Sequence, residues 1–230
     1  MPDVLLTNSA VADRAEDLLP EYRAIIQKIP PEAGFGGIWE SEMLLFYAAV
    51  KPFAPKQILE SGRARGKSTL ILARCFPESR MISVECDRQS ENATAAEAKL
   101  KNEQNVDLLY GDSREILPGR LQDGDAVLID GPKDFRALKL AVDFLRTKKP
   151  CAVFIHDFRP NSPQRKFVER NFPSAFFGDD PLFQHFQSLD AERDPRPNPQ
   201  RRYGILCCLP PRLPISYWKL RFRLLTHGKA

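Results

Sequence analysis

Ile58-Leu59-Glu60-Ser61-Gly62-Arg63-Ala64-Arg65-Gly66-Lys67-Ser68-Thr69 reads as a short apolar strand ending in a carboxylate, then a glycine turn, then the first turn of a helix. Glycine has no Cβ, so backbone N–H groups and a helix N-terminus at such a turn can approach a polar small molecule closely. The stretch therefore marks a pocket for a cofactor or nucleotide, and its spacing separates the kinds of pocket. A phosphate loop, G-x-x-x-x-G-K-[ST], requires glycine at position 61; the chain has Ser61 there, and Gly62 comes one residue late. The dinucleotide fingerprint G-x-G-x-x-G requires glycines at 62, 64 and 67, where the chain has Gly62, Ala64 and Lys67.

Around this stretch, apolar runs alternate with amphipathic ones. Strands are expected at Gln57–Glu60, Arg80–Glu85, Val106–Tyr110, Ala126–Ile129, Ala152–Ile155, Phe183–Ser188 and Tyr203–Leu209. Helical spacing occupies 67–75, 89–101, 134–146 and 162–171 between the earlier ones, and two further helices, at 11–28 and 40–50, precede the first strand. The turn-rich Gly34-Phe35-Gly36-Gly37 separates those two. Strands alternating with helices of this length imply right-handed crossovers and a parallel sheet. The last two strands are joined by the polar, proline-rich Asp190–Gln200 stretch, which has no helical period, so they are expected to form an antiparallel pair.

With 230 residues, 43% of them hydrophobic, the chain can bury one large core. No apolar run is long enough to span a bilayer and the N-terminus lacks a secretory pattern, which leads us to expect a cytoplasmic protein. The five cysteines contain no C-x-x-C pair and read as reduced thiols rather than a disulfide framework or metal cluster. A net charge of +4 gives no argument for nucleic acid.

Ligands of open α/β sheets sit outside the carboxyl ends of the strands. Those ends are rich in polar residues here: Glu60, Glu85, Asp112 after the third strand, Asp130, and His156-Asp157. Glu85 lies 23 residues beyond Gly62, near the spacing at which an acid accepts hydrogen bonds from ribose hydroxyls. The E-x-G-x-x-x-G-x-S pattern of Glu60, Gly62, Gly66 and Ser68 resembles the first motif of class I S-adenosylmethionine-dependent methyltransferases, in particular small-molecule O-methyltransferases of the catechol type. That resemblance covers roughly residues 36 to 209. It implies an α/β, Rossmann-like three-layer sandwich whose mostly parallel seven-stranded sheet ends in an antiparallel strand. It also implies S-adenosylmethionine as cofactor and a small-molecule or sugar acceptor.

The resemblance further implies roles for individual residues. Glu60 would stand near the methionine amino group, and Ser68 would hydrogen-bond the methionine carboxylate. Gly111-Asp112-Ser113 resembles the segment that faces adenine, although Asp112 equally suits a cap for a short helix beginning at Ser113. The D-x-x-K-D spacing of Asp130, Lys133 and Asp134 resembles the pattern in which the aspartate binds a divalent metal and the lysine removes the acceptor proton. A lysine serves as a base only where its pKa is lowered toward neutrality. The family's second metal-binding pair is aspartate then asparagine; Asp157 matches the first, but Phe158 stands at the second. The metal set is then Asp130 and Asp157, with His156 either as a substitute ligand or, without metal, as a general base near its natural pKa. Certain bacterial O-methyltransferases of sugars and natural products, which the chain also resembles, carry a similar His-Asp.

Three segments are expected: 1–54, helical and covering the site; 55–210, the cofactor-binding domain; and 211–230, a basic aromatic tail. From Arg201 to Ala230 there are seven cations and no acid. The tail suits a helix or a strand, packed on its own domain or on a second subunit in a homodimer, with peripheral membrane contact as the alternative. Trp39, Phe46 and Phe35 read as ordinary core. Two rival functions stay open: a P-loop-like nucleotide hydrolase and a catalytically silent cofactor-binding module.

Overall fold

The computed structural model describes residues 5–30, 37–193 and 205–227. Helices α1 (Asn8–Ile26) and α2 (Glu40–Val50) lead into β1 (Gln57–Ser61), and α3 (Lys67–Cys75) connects it to β2 (Arg80–Glu85). Then come α4 (Glu91–Leu100), β3 (Val106–Tyr110), the short α5 (Ser113–Ile116), β4 (Ala126–Ile129), α6 (Asp134–Thr147) and β5 (Ala152–Ile155). The remainder is α7 (Pro163–Asn171), β6 (Phe176–Phe177), a 3-10 helix Pro181–Gln187, α8 (Ser188–Arg193), β7 (Cys207–Leu209) and α9 (Tyr217–His227).

The seven strands form one sheet in the order β3-β2-β1-β4-β5-β7-β6. Strands β1 to β5 are parallel to their neighbours, while β7 pairs antiparallel with both β5 and β6. The last strand is thus antiparallel, as the sequence led us to expect, and it lies between β5 and β6. Because β1 pairs with both β2 and β4, the strand order reverses at β1, and the crevice beyond Ser61 and Ile129 is the switch point where such sheets bind ligands.

Strand side chains alternate between two cores, as the pleat requires. Ile58, Met81, Leu128 and Phe154 face the layer built from α1, α2 and α3, whereas Leu59, Ile82, Val127 and Val153 face the layer containing α6, α7 and α9. Every residue of α2 is buried, including Glu40 and Glu42. Its Phe46 ring lies 4.7 Å from that of Phe154.

The strand expected at Phe183–Ser188 is absent. Pro181 starts a 3-10 helix, Asp180 caps it by accepting from Leu182 N at 3.0 Å, and Phe183 and Phe186 are both buried. Spacing of i, i+3 suits a 3-10 turn and not a pleat. The sixth strand is instead the two-residue Phe176–Phe177, too short to carry a periodic signal. The turn at 34–36, Phe35 and most of the Asp190–Gln200 connection lie outside the described residues, as do Tyr203 and Gly204 of the expected last strand. All five cysteines are free thiols, and four are buried. Among the described residues no helix is long and apolar enough to cross a membrane.

Candidate active site

The glycine loop folds as its sequence dictates. Gly62 and Gly66 take φ of 81° and 75°, the left-handed region open to glycine. A Cβ on Gly62 would stand 2.8 Å from the backbone nitrogen of Gly131, so the loop after β1 presses directly on the loop after β4. Glu85, at the end of β2, accepts from the N–H groups of Arg63 at 3.2 Å, Ala64 at 2.9 Å and Cys86 at 2.8 Å. This carboxylate fixes the glycine loop against the end of β2.

Glu60 and Ser68 sit differently from the family pattern. Glu60 is completely buried, and its carboxylate accepts from the hydroxyls of Ser68 at 2.5 Å, Ser83 at 2.6 Å and Thr69. Burial pushes its pKa up, against the pull of those hydroxyls. A buried carboxylate needs donors. Here it takes them from the first turn of α3 and from β2, and so ties β1 to both. Glu60 therefore offers no exposed oxygen to an ammonium. The Ser68 proton is committed to Glu60, so its hydroxyl does not donate to a ligand carboxylate in this arrangement. Lys67, at the lysine position of a phosphate loop, donates to Glu40 at 2.9 Å and fastens the loop to α2.

At the end of β3 the capping alternative is the one realised. Asp112 accepts from Arg114 N at 2.8 Å, caps α5, and pairs with the Arg114 guanidinium, which lowers its pKa. Ser113 is buried with its hydroxyl 2.6 Å from Ser61 Oγ. The loop also contributes Arg63, which gave no signal in the sequence. It is buried and donates to Ser83 O at 2.9 Å and Leu109 O at 3.0 Å, with its guanidinium 4.5 Å from the Tyr110 ring centre.

Beyond β4 and β5, four expected residues converge. Lys133 Nζ bridges Asp130 Oδ1 at 2.5 Å and Asp157 Oδ2 at 2.6 Å. His156 donates from Nδ1 to Asp130 at 2.8 Å and from Nε2 to Glu42 at 3.2 Å. Glu42 was missed by sequence reading because it lies in α2, far from any motif. It also accepts from Trp39 N at 3.1 Å and Leu206 N at 2.7 Å.

The electrostatics of this cluster favour the charged forms of Lys133 and His156. Burial would lower the His156 pKa, but the Glu42 and Asp130 carboxylates prevail and raise it to about 10. Burial likewise opposes the Lys133 charge, yet Asp130 and Asp157 raise its pKa. Both residues are therefore cations at neutral pH. Asp130, although desolvated, is held below the usual carboxylate range by His156 and Lys133.

Asp130, His156 and Asp157 place ligand atoms within 4.8 Å of one another. In this arrangement the Lys133 ammonium bridges the two carboxylates, so a divalent metal held by this set would have to displace it. Phe158, at the expected ligand position, is a core side chain with its ring 6.1 Å from that of Phe177.

A mostly parallel sheet with a switch point at β1, and a glycine loop pinned by an acid on the next strand, make this a Rossmann-like fold of the nucleotide-binding kind. Residues 59–158 match the model of a family described as a methyltransferase domain. A 74-residue stretch is 40% identical to the transmembrane O-methyltransferase homologs of Mus musculus and Rattus norvegicus. The match takes in 30% of this chain and spans only 28% of the length of those relatives. The O-methyltransferase TomG of Streptomyces achromogenes, solved with S-adenosylmethionine, shares the fold at a TM-score of 0.50 and 18% identity, over 84% of this chain and 89% of TomG. An O-methyltransferase from Bacillus cereus, solved with S-adenosylhomocysteine, does so at 0.50 and 16%, over 86% and 90%.

Proposed function

We propose that the chain transfers a methyl group from S-adenosylmethionine to a hydroxyl oxygen of a small molecule or sugar. The observation that carries this reading is the convergence at one switch point of the glycine loop pinned by Glu85 and the Asp130-Lys133-His156-Asp157 cluster. When bound, the cofactor supplies a methyl group already activated on a sulfonium, which leaves the protein the work of alignment and proton removal.

The amides between Gly62 and Gly66 and the N-terminus of α3 would hold its carboxylate end, Glu85 would accept from its ribose hydroxyls, and the Asp112-Ser113 segment would border its adenine. Lys133 and His156, held charged, stabilise the negative charge that develops on the acceptor oxygen. Asp157, a third of whose side chain is exposed, is the carboxylate an incoming hydroxyl can reach, and it takes the proton. Residues 1–54 contribute Glu42 to the back of this cluster, which supports their assignment as the segment closing the site.

Calorimetric titration with S-adenosylhomocysteine and with ATP, on wild type and Glu85→Ala, tests the reading. The first ligand should bind, with affinity falling about tenfold or more in Glu85→Ala, as expected for losing hydrogen bonds to a charged acceptor. ATP should not bind, because Lys67 is spent on Glu40. Tight ATP binding would instead establish the nucleotide hydrolase. Methyl transfer to a panel of phenolic and sugar acceptors, lost in Asp157→Asn, separates an enzyme from a silent cofactor-binding module.

A further inference from the structure

Helix α9 packs on its own domain through Leu220 and Leu224, both buried, and Tyr217 donates to Asp143 of α6 at 2.8 Å. Its opposite face has no such cover among the described residues. Trp218, Phe222 and Leu225, at i, i+4 and i+7, are 71%, 68% and 54% exposed. They are three of the four large hydrophobic residues exposed among the described residues. Such a ridge on one helix face is too concentrated to be ordinary scattered surface.

The setting of the ridge identifies its partner. At 100° per residue, Lys219 and Arg223 fall along one flank and Arg221 along the other; Arg221 also pairs with Asp143 at 3.5 Å and Arg223 donates to Asn171. Arg146 of α6 lies 4.4 Å from the Tyr217 ring centre and 5.4 Å from that of Trp218, continuing the basic border. Beside it, an apolar groove formed by Leu145, Pro150, Leu213 and Tyr217 is edged by Lys149 and Arg212. An apolar ridge flanked on both sides by cations, with tryptophan at its start, is the pattern of a helix lying in the plane of a bilayer interface.

We propose that α9 docks the protein on an anionic membrane surface, with Trp218, Phe222 and Leu225 entering the boundary between headgroups and acyl chains and the surrounding cations facing lipid phosphates. A second copy of the chain suits the face poorly. A two-fold contact would set one row of cations against its own image; α9 itself carries no acid, and the neighbouring Asp143 is already taken by Tyr217 and Arg221. The groove beside the ridge opens next to Gly124, Pro150 and Cys151, which precede β4 and β5, so docking occurs at the end of the sheet opposite the candidate active site. The site then faces away from the bilayer. This inference does not depend on methyl transfer.

The test is flotation of the full chain with phosphatidylcholine vesicles that either lack or contain about a third phosphatidylglycerol. The bound fraction should be high only with the anionic vesicles and should fall with added salt. The triple variant Trp218→Ser, Phe222→Ser, Leu225→Ser should lose binding about tenfold or more, and Lys219→Glu severalfold, with unchanged circular dichroism because all four side chains are on the surface. Equal binding to both vesicle types, or none to either, overturns the proposal. So does a concentration-dependent dimer in analytical ultracentrifugation that the triple variant abolishes, because that assigns the face to a second copy.

Discussion

Glu42 and His156 make the sharpest test of the site's energetics. Replacing His156 by alanine leaves the Glu42 carboxylate buried, at 5% exposure, without its cation. Removing one partner of a buried ion pair costs about 3–5 kcal/mol. Glu42 keeps its bonds from Trp39 N and Leu206 N, which places His156→Ala near the lower end of that range. The reverse change, Glu42→Gln, leaves the imidazolium with Asp130 as a remaining partner and should cost roughly 2 kcal/mol, the scale of one charged hydrogen bond. The double variant removes both charges, so its loss should fall short of the sum of the single losses by about 2 kcal/mol or more. Urea unfolding at pH 7 of the four proteins gives the coupling directly. Additivity within about 0.5 kcal/mol would mean that the two groups do not interact, and the relay from α2 to Asp130 would have to be abandoned.

Three further outcomes follow from the same geometry. His156 has its pKa raised from 6.5 to about 10, so the stability it contributes is full below pH 6.5 and is lost as the pH climbs through 10. That decline, on the order of 5 kcal/mol at about 1.4 kcal/mol per pKa unit, should be missing from urea midpoints of His156→Ala measured across that window. Burial raises the Asp190 pKa from 3.8 to about 6, with Glu40 and Glu42 adding to the rise and Ser41 opposing it. The stability linked to Asp190 is therefore present below pH 3.8 and lost as the pH passes 6, and Asp190→Asn should gain up to roughly 3 kcal/mol over wild type at pH 8 but nothing at pH 3.5. Gly62→Ala, forced to a φ of 81° with its Cβ 2.8 Å from Gly131 N, should cost roughly 2–4 kcal/mol in thermal unfolding and weaken S-adenosylhomocysteine binding; an unchanged protein would mean the two loops do not touch.

The parallel core of the fold was readable because local chemistry and global architecture agree there. Apolar runs of four to six residues, closed by a carboxylate, a glycine or, after β5, His156-Asp157, gave β1 to β5 nearly to the residue. Agreement failed where local signals were short or ambiguous. Phe183 and Phe186 looked like strand positions until Pro181 and the Asp180 cap wound them into a 3-10 turn, and Phe176–Phe177 offered no pattern at all. The two-residue strand exists because the Cys207–Leu209 backbone leaves an edge for it to complete.

The site divides in the same way. The sequence by itself determined which residues stand at the carboxyl edge of the sheet, since strand ends and their following turns are local features: Glu60, Gly62, Glu85, Asp112, Asp130, Lys133, His156 and Asp157 all lie there. Only the tertiary structure decided what each can do, because protonation and hydrogen-bond commitment depend on neighbours remote in the chain. Glu60 is a buried tie rather than an open anion because Ser68, Thr69 and Ser83 surround it. Lys133 and His156 are cations rather than bases because Asp130, Asp157 and, from a helix more than a hundred residues earlier, Glu42 close around them.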